Sequence, residues 1–332
     1  MSLINRKVVL ARRPDGLPLQ DDFAVIDEPV GPIEAGEALI KVEHLSIDAF
    51  IGTTLDHDGH HGQVGAGEPV MALGTGTVIE SLREDLAVGD SVFGGMGAQL
   101  YNRSSSKDLR VLVNGEAPAR SYLGLLGMTT GLTAYAGMVL VGNVAEGDTV
   151  AVSAAAGAVG TVACQIAKIK GAKVIGIAGG PEKCAFLEEI GCDGTIDYKN
   201  SDVAEQLELL APKGLNLFFD NVGGSILDAA LDNLAKEARV VICGAISQYS
   251  DLKSVQGPSL YLRIAETNSS MRGFTVDHYM SEFPAMEADL ARWAATGQLT
   301  LPEHIENGID DFPKALSILY RGGHRGKLLV AV

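Results

Sequence analysis

The first 163 residues of this chain contain no cysteine. Four occur among 332 residues, at Cys164, Cys184, Cys192 and Cys243. That distribution excludes a thiolate zinc site anywhere in residues 1–163. None of the four forms a Cys-x-x-Cys pair, and Cys164 and Cys243 lie in apolar runs typical of buried thiols. The expectation is a reducing, cytoplasmic compartment without a disulfide framework. Aromatics make up 5% of the chain and the formal charge is −16. Base-stacking platforms are therefore scarce, and nucleic acid and anionic membrane surfaces are repelled. The N-terminal residues lack the apolar core of a signal peptide. One stretch, Tyr122 to Ala145, carries no charge and has the length of a membrane span. Its five glycines and three threonines instead suggest a buried helix and crossover. No internal repeat, coiled coil or low-complexity tail is evident.

What is present divides by texture. A hydrophobic content of 46% over this length supports two domains. Residues 1 to about 120 show short apolar alternations broken by Gly and Pro, as in 37–43, 70–79 and 90–94, which predict a β-rich, barrel-like unit. From about 147 the rhythm becomes strand–helix–strand. Strands are expected at 148–153, 173–178, 194–197, 216–220 and 239–243, with helices at 181–190 and 223–235. This predicts an α/β, doubly wound parallel sheet. Met286, Leu290 and Trp293 form a core stripe on a helix expected over 284–296. Residues 327–332 read as a final strand, with the tail folding back onto the first domain. The expected boundaries are 1–128 with 299–332 for the β-rich domain and 129–298 for the other.

The first βαβ unit of the second half carries a small-residue turn, Ala155-x-Gly157-x-x-Gly160. It matches the dinucleotide fingerprint except that Ala155 replaces the first glycine. Gly157 would let the backbone approach a pyrophosphate, and Gly160 would let the helix lie close to the strand. Ala158 and Val159 open that helix, where free N–H groups favour an anion. The next strand runs out into Ala178-Gly179-Gly180 instead of the acidic residue of an NAD site. Small residues leave room for a 2′-phosphate, and Lys183 could pair with it. Tyr198 and Lys199 could add donors, while Glu182 could oppose Lys183. The competing reading of Lys183 is a solvated lysine at a helix end. NADPH is the cofactor expected.

These features, together with Gly127-Met-Thr-Thr-Gly-Leu-Thr-Ala-Tyr135, Asp220-Asn-Val-Gly-Gly224 and Cys243-Gly-Ala-Ile-Ser-Gln-Tyr249, resemble the medium-chain dehydrogenase/reductase superfamily. Within it they resemble the zinc-independent, NADPH-dependent alkenal and 2-alkenone double-bond reductases. The resemblance implies a GroES-like β-rich catalytic domain beside a Rossmann domain, and a homodimer. It also implies that Lys183 and Tyr198 hold the 2′-phosphate and that Asn221 lines the cofactor cleft. Cys243, Gly244, Ala245, Ile246 and Ser247 would flank the nicotinamide, with Phe274 lining the pocket. Tyr249 would sit near the nicotinamide ribose and substrate as a candidate proton donor; it could instead merely pack on the cofactor. Two departures stand where substrate is read. Ser46-Ile-Asp48-Ala-Phe-Ile51-Gly52 lacks the family's proline and basic residue. The family's Gly-x-Asn-x-Gly-Lys becomes Gly322-Gly-His324-Arg-Gly-Lys327, so His324 replaces an amide that could touch cofactor or substrate.

The chemistry implied is hydride delivery to the β-carbon of an α,β-unsaturated carbonyl, with hydrogen-bond donors stabilising the enolate. No metal is required. His57-Asp58-Gly59-His60-His61 could suggest one, but a solvated loop or substrate lid is the expected reading. The alternatives are a quinone reductase of the same superfamily and an NADPH-binding protein with little catalysis.

Overall fold

Seven strands precede residue 124 among the described residues of a computed structural model, which are 3–55, 62–65, 67–112, 117–249 and 254–332. β1 (Ile4–Leu10) pairs antiparallel with β2 (Phe23–Pro29). The apolar alternations become β3 (Ala38–Ser46), β4 (Leu73–Ser81) and β5 (Ser91–Gly95), joined by β6 (Tyr101–Ser104) and β7 (Arg110–Val111). β3 pairs antiparallel with β4 and with β6. Ile40, Val42, Leu45 and Val78 from these strands are buried in one core.

In the second half each β-branched run forms a parallel strand and each intervening amphipathic stretch a helix. The strands are β8 (Thr149–Val152), β9 (Lys173–Ala178), β10 (Gly194–Asp197), β11 (Leu215–Asp220), β12 (Leu234–Ile242) and β13 (Ser270–Gly273). Their order across the sheet is β10-β9-β8-β11-β12-β13, all parallel. The order reverses between β8 and β11, which makes the sheet a Rossmann sheet. Helices Ala158–Ile169, Pro181–Glu189, Val203–Leu210 and Gly224–Asp232 cover it. The helix expected over 223–235 stops at Asp232 because β12 starts at Leu234, five residues before the expected 239. A register shift on β11 between Leu215 and Leu217 and a positive φ of 61° at Glu237 accommodate the early start.

The uncharged stretch is helical, with wide turns such as Leu132 N–H to Gly127 O and Gly142 N–H to Gly137 O. Residues 119–141 are long and apolar enough to cross a membrane, at mean hydropathy 1.4, yet 61% of that window is buried within the protein. Met286, Leu290 and Trp293 on helix Phe283–Ala295 are buried, as the stripe predicts. Trp293 stacks on Tyr135 at 5.8 Å, and the Tyr135 hydroxyl donates to Asp289 at 2.8 Å.

The chain then returns. β14 (Glu303–Asn307) pairs parallel with β15 (Lys327–Ala331), and β15 pairs antiparallel with β3. Two compact units result: 1–123 with 303–332, and 124–302. Lys327 closes the return, its ammonium 2.6 Å from Asp48 with both side chains almost fully buried. Asp48 also accepts the Ser46 hydroxyl.

Candidate functional site

The glycine turn follows β8 directly. Ala154 takes a positive φ of 46°, and the Ala155 N–H donates to Ile177 O at 3.0 Å, tying the turn to β9. Gly157 caps helix Ala158–Ile169 in extended geometry, and no side chain satisfies the helix's first N–H groups. Those of Ala158, Val159 and Gly160 lack intrahelical partners by construction. A Cβ on Gly160 would collide with Ala154 O and lie 2.7 Å from Ala155 Cα. The position must be glycine for the helix to start this close to the strand. The result is a narrow seat of free donors at a positive helix end, suited to a pyrophosphate.

At the end of β9 the backbone is bare. A Cβ on Gly179 would come within 2.9 Å of the Tyr198 ring and of Lys199 Cε, so both side chains lie over this glycine. Tyr198 is held there by its N–H to Ala178 O at 3.1 Å. Lys183, on the first turn of the next helix, titrates below the usual lysine range, through burial first and then the charge of Lys199. Two ammonium groups therefore approach one another. Neither pairs with a carboxylate among the described residues. The nearby Asp197 is engaged instead by the N–H groups of Gly180 and Lys199 and by the Asn200 amide. Those bonds, the Gly180 one above all, hold its carboxyl below the usual range. Glu182 is exposed. Lys199 adds to the lowering of Asp197 through its charge, so Asp197 offsets part of the cluster's positive charge, and the cations left facing Gly179 are what a phosphate monoester needs.

The other half of the sheet is built around β11. Asp220 ends it, fully buried. Its carboxylate accepts from Ser153 Oγ at 2.8 Å, Val222 N–H at 3.0 Å and Gly223 N–H at 3.0 Å. Ser153 in turn accepts the Asn221 N–H at 2.8 Å, and the Asn221 amide donates to Ser153 O at 2.7 Å. The N–H groups of Cys243 and Gly244 both bond Asp220 O, and Ile246 N–H bonds Asn221 O. Ser247 donates its hydroxyl to Val222 O at 2.6 Å. Asn221 and the 243–247 segment thus form one loop cluster at the C-terminal ends of β11 and β12. Tyr249 folds back over it. Its hydroxyl accepts the Ala245 N–H at 3.3 Å. Burial pushes the Tyr249 phenol above its ordinary range, with Cys243 and Asp220 adding to the effect. The Cys243 thiol is pushed up to about 12 by burial and Asp220.

Ser153 and Asp220 had no role in the sequence reading, although Asp220 opens a motif quoted there. The signal available was an acid at a strand end followed by Asn-x-Gly-Gly. Phe274 follows β13, in an edge-on ring contact with Tyr279 at 6.3 Å. Its ring also lies against Gly137. His324 lies in the other unit, buried in the turn between helix Phe312–Arg321 and β15. The departing segment 46–52 is anchored in that same unit: the Tyr320 hydroxyl donates to Ala49 O at 2.6 Å and accepts the Gly52 N–H at 3.0 Å. The histidine cluster at 57–61 lies outside the described residues. Among the described residues no three metal-ligating side chains gather.

This fold and turn define a two-domain, dinucleotide-dependent dehydrogenase. Family models agree: an N-terminal domain of oxidoreductase matches residues 6–112, and a zinc-binding dehydrogenase domain matches 158–292. The NADPH-dependent curcumin reductase of Escherichia coli is 33% identical, covering 99% of this chain and 97% of its own length. Bovine prostaglandin reductase 1 is 34% identical, over 95% of both chains. CurA from Vibrio vulnificus, solved in complex with NADPH, superposes with a TM-score of 0.92 at 35% identity, covering 98% of this chain and 99% of that one. The chain belongs to the medium-chain dehydrogenase/reductase superfamily, in its branch of NADPH-dependent alkenal and alkenone reductases.

Proposed function

We propose that this NADPH-dependent oxidoreductase reduces the carbon–carbon double bond of α,β-unsaturated aldehydes and ketones. The observation that carries the reading is Tyr198 and Lys199 lying over Gly179, with Lys183 close enough to feel the charge of Lys199, at the sheet position where an NAD site would place an acid. The names of the relatives support the substrate class. In this reading the pyrophosphate sits on the N–H groups of Ala158, Val159 and Gly160, with Ala155 and Gly157 shaping the turn. Gly179 leaves space for the 2′-phosphate beside Lys183 and Tyr198. Asn221 and the segment Cys243, Gly244, Ala245, Ile246, Ser247 flank the nicotinamide. Phe274 and His324 complete the surroundings of cofactor and substrate.

When bound, NADPH supplies the hydride that adds to the substrate's β-carbon. The alkene electrons move to the carbonyl oxygen, and the α-carbon then takes a proton. Tyr249 is the proposed proton donor. Its phenol is protonated at neutral pH already at the ordinary tyrosine value of about 10, burial moves it further up, and its hydrogen bond to Ala245 puts it beside the proposed hydride site. The pair of steps converts NADPH, a proton and the enone into NADP+ and the saturated carbonyl compound.

We place the enzyme in the cytoplasm as a homodimer. β13 supports the dimer, since all four of its residues are exposed along the open edge of the sheet, where a second copy would pair. The test of function is turnover of an enone panel against a quinone panel, with NADPH and a chelator present. Enone reduction with a saturated product supports the reading, and quinone-only turnover rejects it.

A further inference from the structure

Asp220 is a buried acid to which the reading above gives no chemical part. It is fully buried, and three donors hold its carboxylate: the Ser153 hydroxyl and the N–H groups of Val222 and Gly223. All three are neutral. No lysine or arginine pairs with it among the described residues. Its charge is therefore fixed in place by dipoles and not cancelled by a cation. Burial raises its own titration, while the three donors oppose that rise. The field it produces reaches the cofactor side of the loop, since it adds to the upward shifts of both Cys243 and Tyr249.

Its position gives that charge a target. Strand order reverses between β8 and β11. In such sheets a dinucleotide lies across the crevice outside the strand ends, with its two halves on the two halves of the sheet. Lys183 and Lys199 mark the end of β9 as the phosphate-bearing adenosine side. The nicotinamide side is then the C-terminal end of β11 and β12, where Asp220 sits.

We propose that Asp220 supplies a fixed negative charge that favours the oxidised, cationic nicotinamide over the neutral dihydro form. Hydride loss takes two electrons and one hydrogen nucleus from the neutral ring and leaves a unit positive charge. An uncancelled anion beneath the site stabilises that product. It lowers the potential of the bound couple and strengthens hydride donation. The proposal rests on NADPH as cofactor and not on the identity of the substrate.

The experiment compares dissociation constants for NADP+ and NADPH, by titration calorimetry on the full-length protein, in wild type, Asp220→Asn and Ser153→Ala. The Asp220→Asn change keeps shape and removes charge. It should raise the ratio of the NADP+ to the NADPH dissociation constant by about tenfold, the order expected for a unit charge acting through a protein interior. That corresponds to a rise of about 30 mV in the potential of the bound two-electron couple. Ser153→Ala removes a hydrogen bond and keeps the charge, so the ratio should hold even if both affinities fall. Binding of 2′,5′-ADP should survive in both variants and report an intact adenosine half. An unchanged ratio in Asp220→Asn, or equal weakening of both cofactors, overturns the proposal. Should Asp220→Asn fail to fold, wild type alone still decides. Its bound couple must lie below the free couple in potential, and a value at or above it overturns the proposal. Failure of wild type to bind either cofactor would instead reject the NADPH assignment itself.

Discussion

The two ends of the nucleotide-binding sheet solve opposite electrostatic problems. Over β9, Lys183 and Lys199 are brought together without a hydrogen-bonded carboxylate partner among the described residues, and Lys183 titrates low through burial first and the charge of Lys199 second. Beneath the loops of β11 and β12, Asp220 is buried without a cation among the described residues and titrates high. Neither arrangement favours the protein alone. Like charges repel, and an unpaired buried charge is costly unless hydrogen bonds satisfy it. The comparison teaches that the sheet is strained electrostatically in two places, of opposite sign. A dinucleotide with an anionic phosphate at one end and a ring that becomes cationic at the other relieves both.

The largest break in this comparison should come from the turn that both ends share. Gly160→Val puts side-chain atoms into Ala154 O and Ala155 Cα. Thermal or denaturant unfolding should show a loss of about 3 kcal/mol, at the upper end of overpacking costs, with NADPH and NADH binding lost together. Retained binding of either cofactor would show that the helix need not start so close to the strand. Next in size is Lys183→Ala. It should weaken NADPH by about ten- to a hundredfold, each tenfold step being about 1.4 kcal/mol, and leave NADH little changed. Equal losses for both cofactors would remove the phosphate contact.

Tyr249→Phe acts at the opposite end and should separate chemistry from binding. Turnover should fall about a hundredfold, at the low end of general acid contributions, while the NADPH dissociation constant stays put. Unchanged turnover would end the candidacy of this phenol. The sign of its pH effect is set by the upward shift. The folded-state phenol stays protonated through the ordinary tyrosine value of about 10. Activity that depends on it should therefore persist at neutral and mildly alkaline pH and decline only above that value. The same shift stabilises the fold below about pH 10 and is lost as pH rises through the raised folded value. The smallest effect expected is Lys199→Ala, a weakening of NADPH by about threefold. It should also let Lys183 titrate higher, visible by NMR of the lysine ammonium; an unmoved Lys183 would show that the two charges do not interact.

Much of this architecture was legible along the chain. The β-branched runs at β8, β9 and β10 and the small-residue turn between Val152 and Gly160 are local patterns, and they marked both the parallel sheet and the anion seat. Met286, Leu290 and Trp293 declared their core face by helical spacing. Tyr198 and Lys199 were legible as donors for the 2′-phosphate, and parallel pairing of β9 with β10, which sets Asp197 beside Ala178, brings them over Gly179. What escaped was created by pairing across the sequence. Ser153 meets Asp220 across 67 residues. Lys327 meets Asp48 across 279. A buried lysine there is visible only after the tail has returned to β3. The start of β12 was missed for a related reason: Leu234 to Glu237 have helix-compatible side chains, and tertiary pairing with β11 decides their state.

The most direct test mixes the protein–NADPH complex, in the presence of a chelator, with a simple enone and follows cofactor absorbance while the product is identified. The account predicts oxidation of one NADPH per saturated carbonyl compound formed, with NADH a poor substitute. No oxidation, or activity lost on chelation, would contradict it.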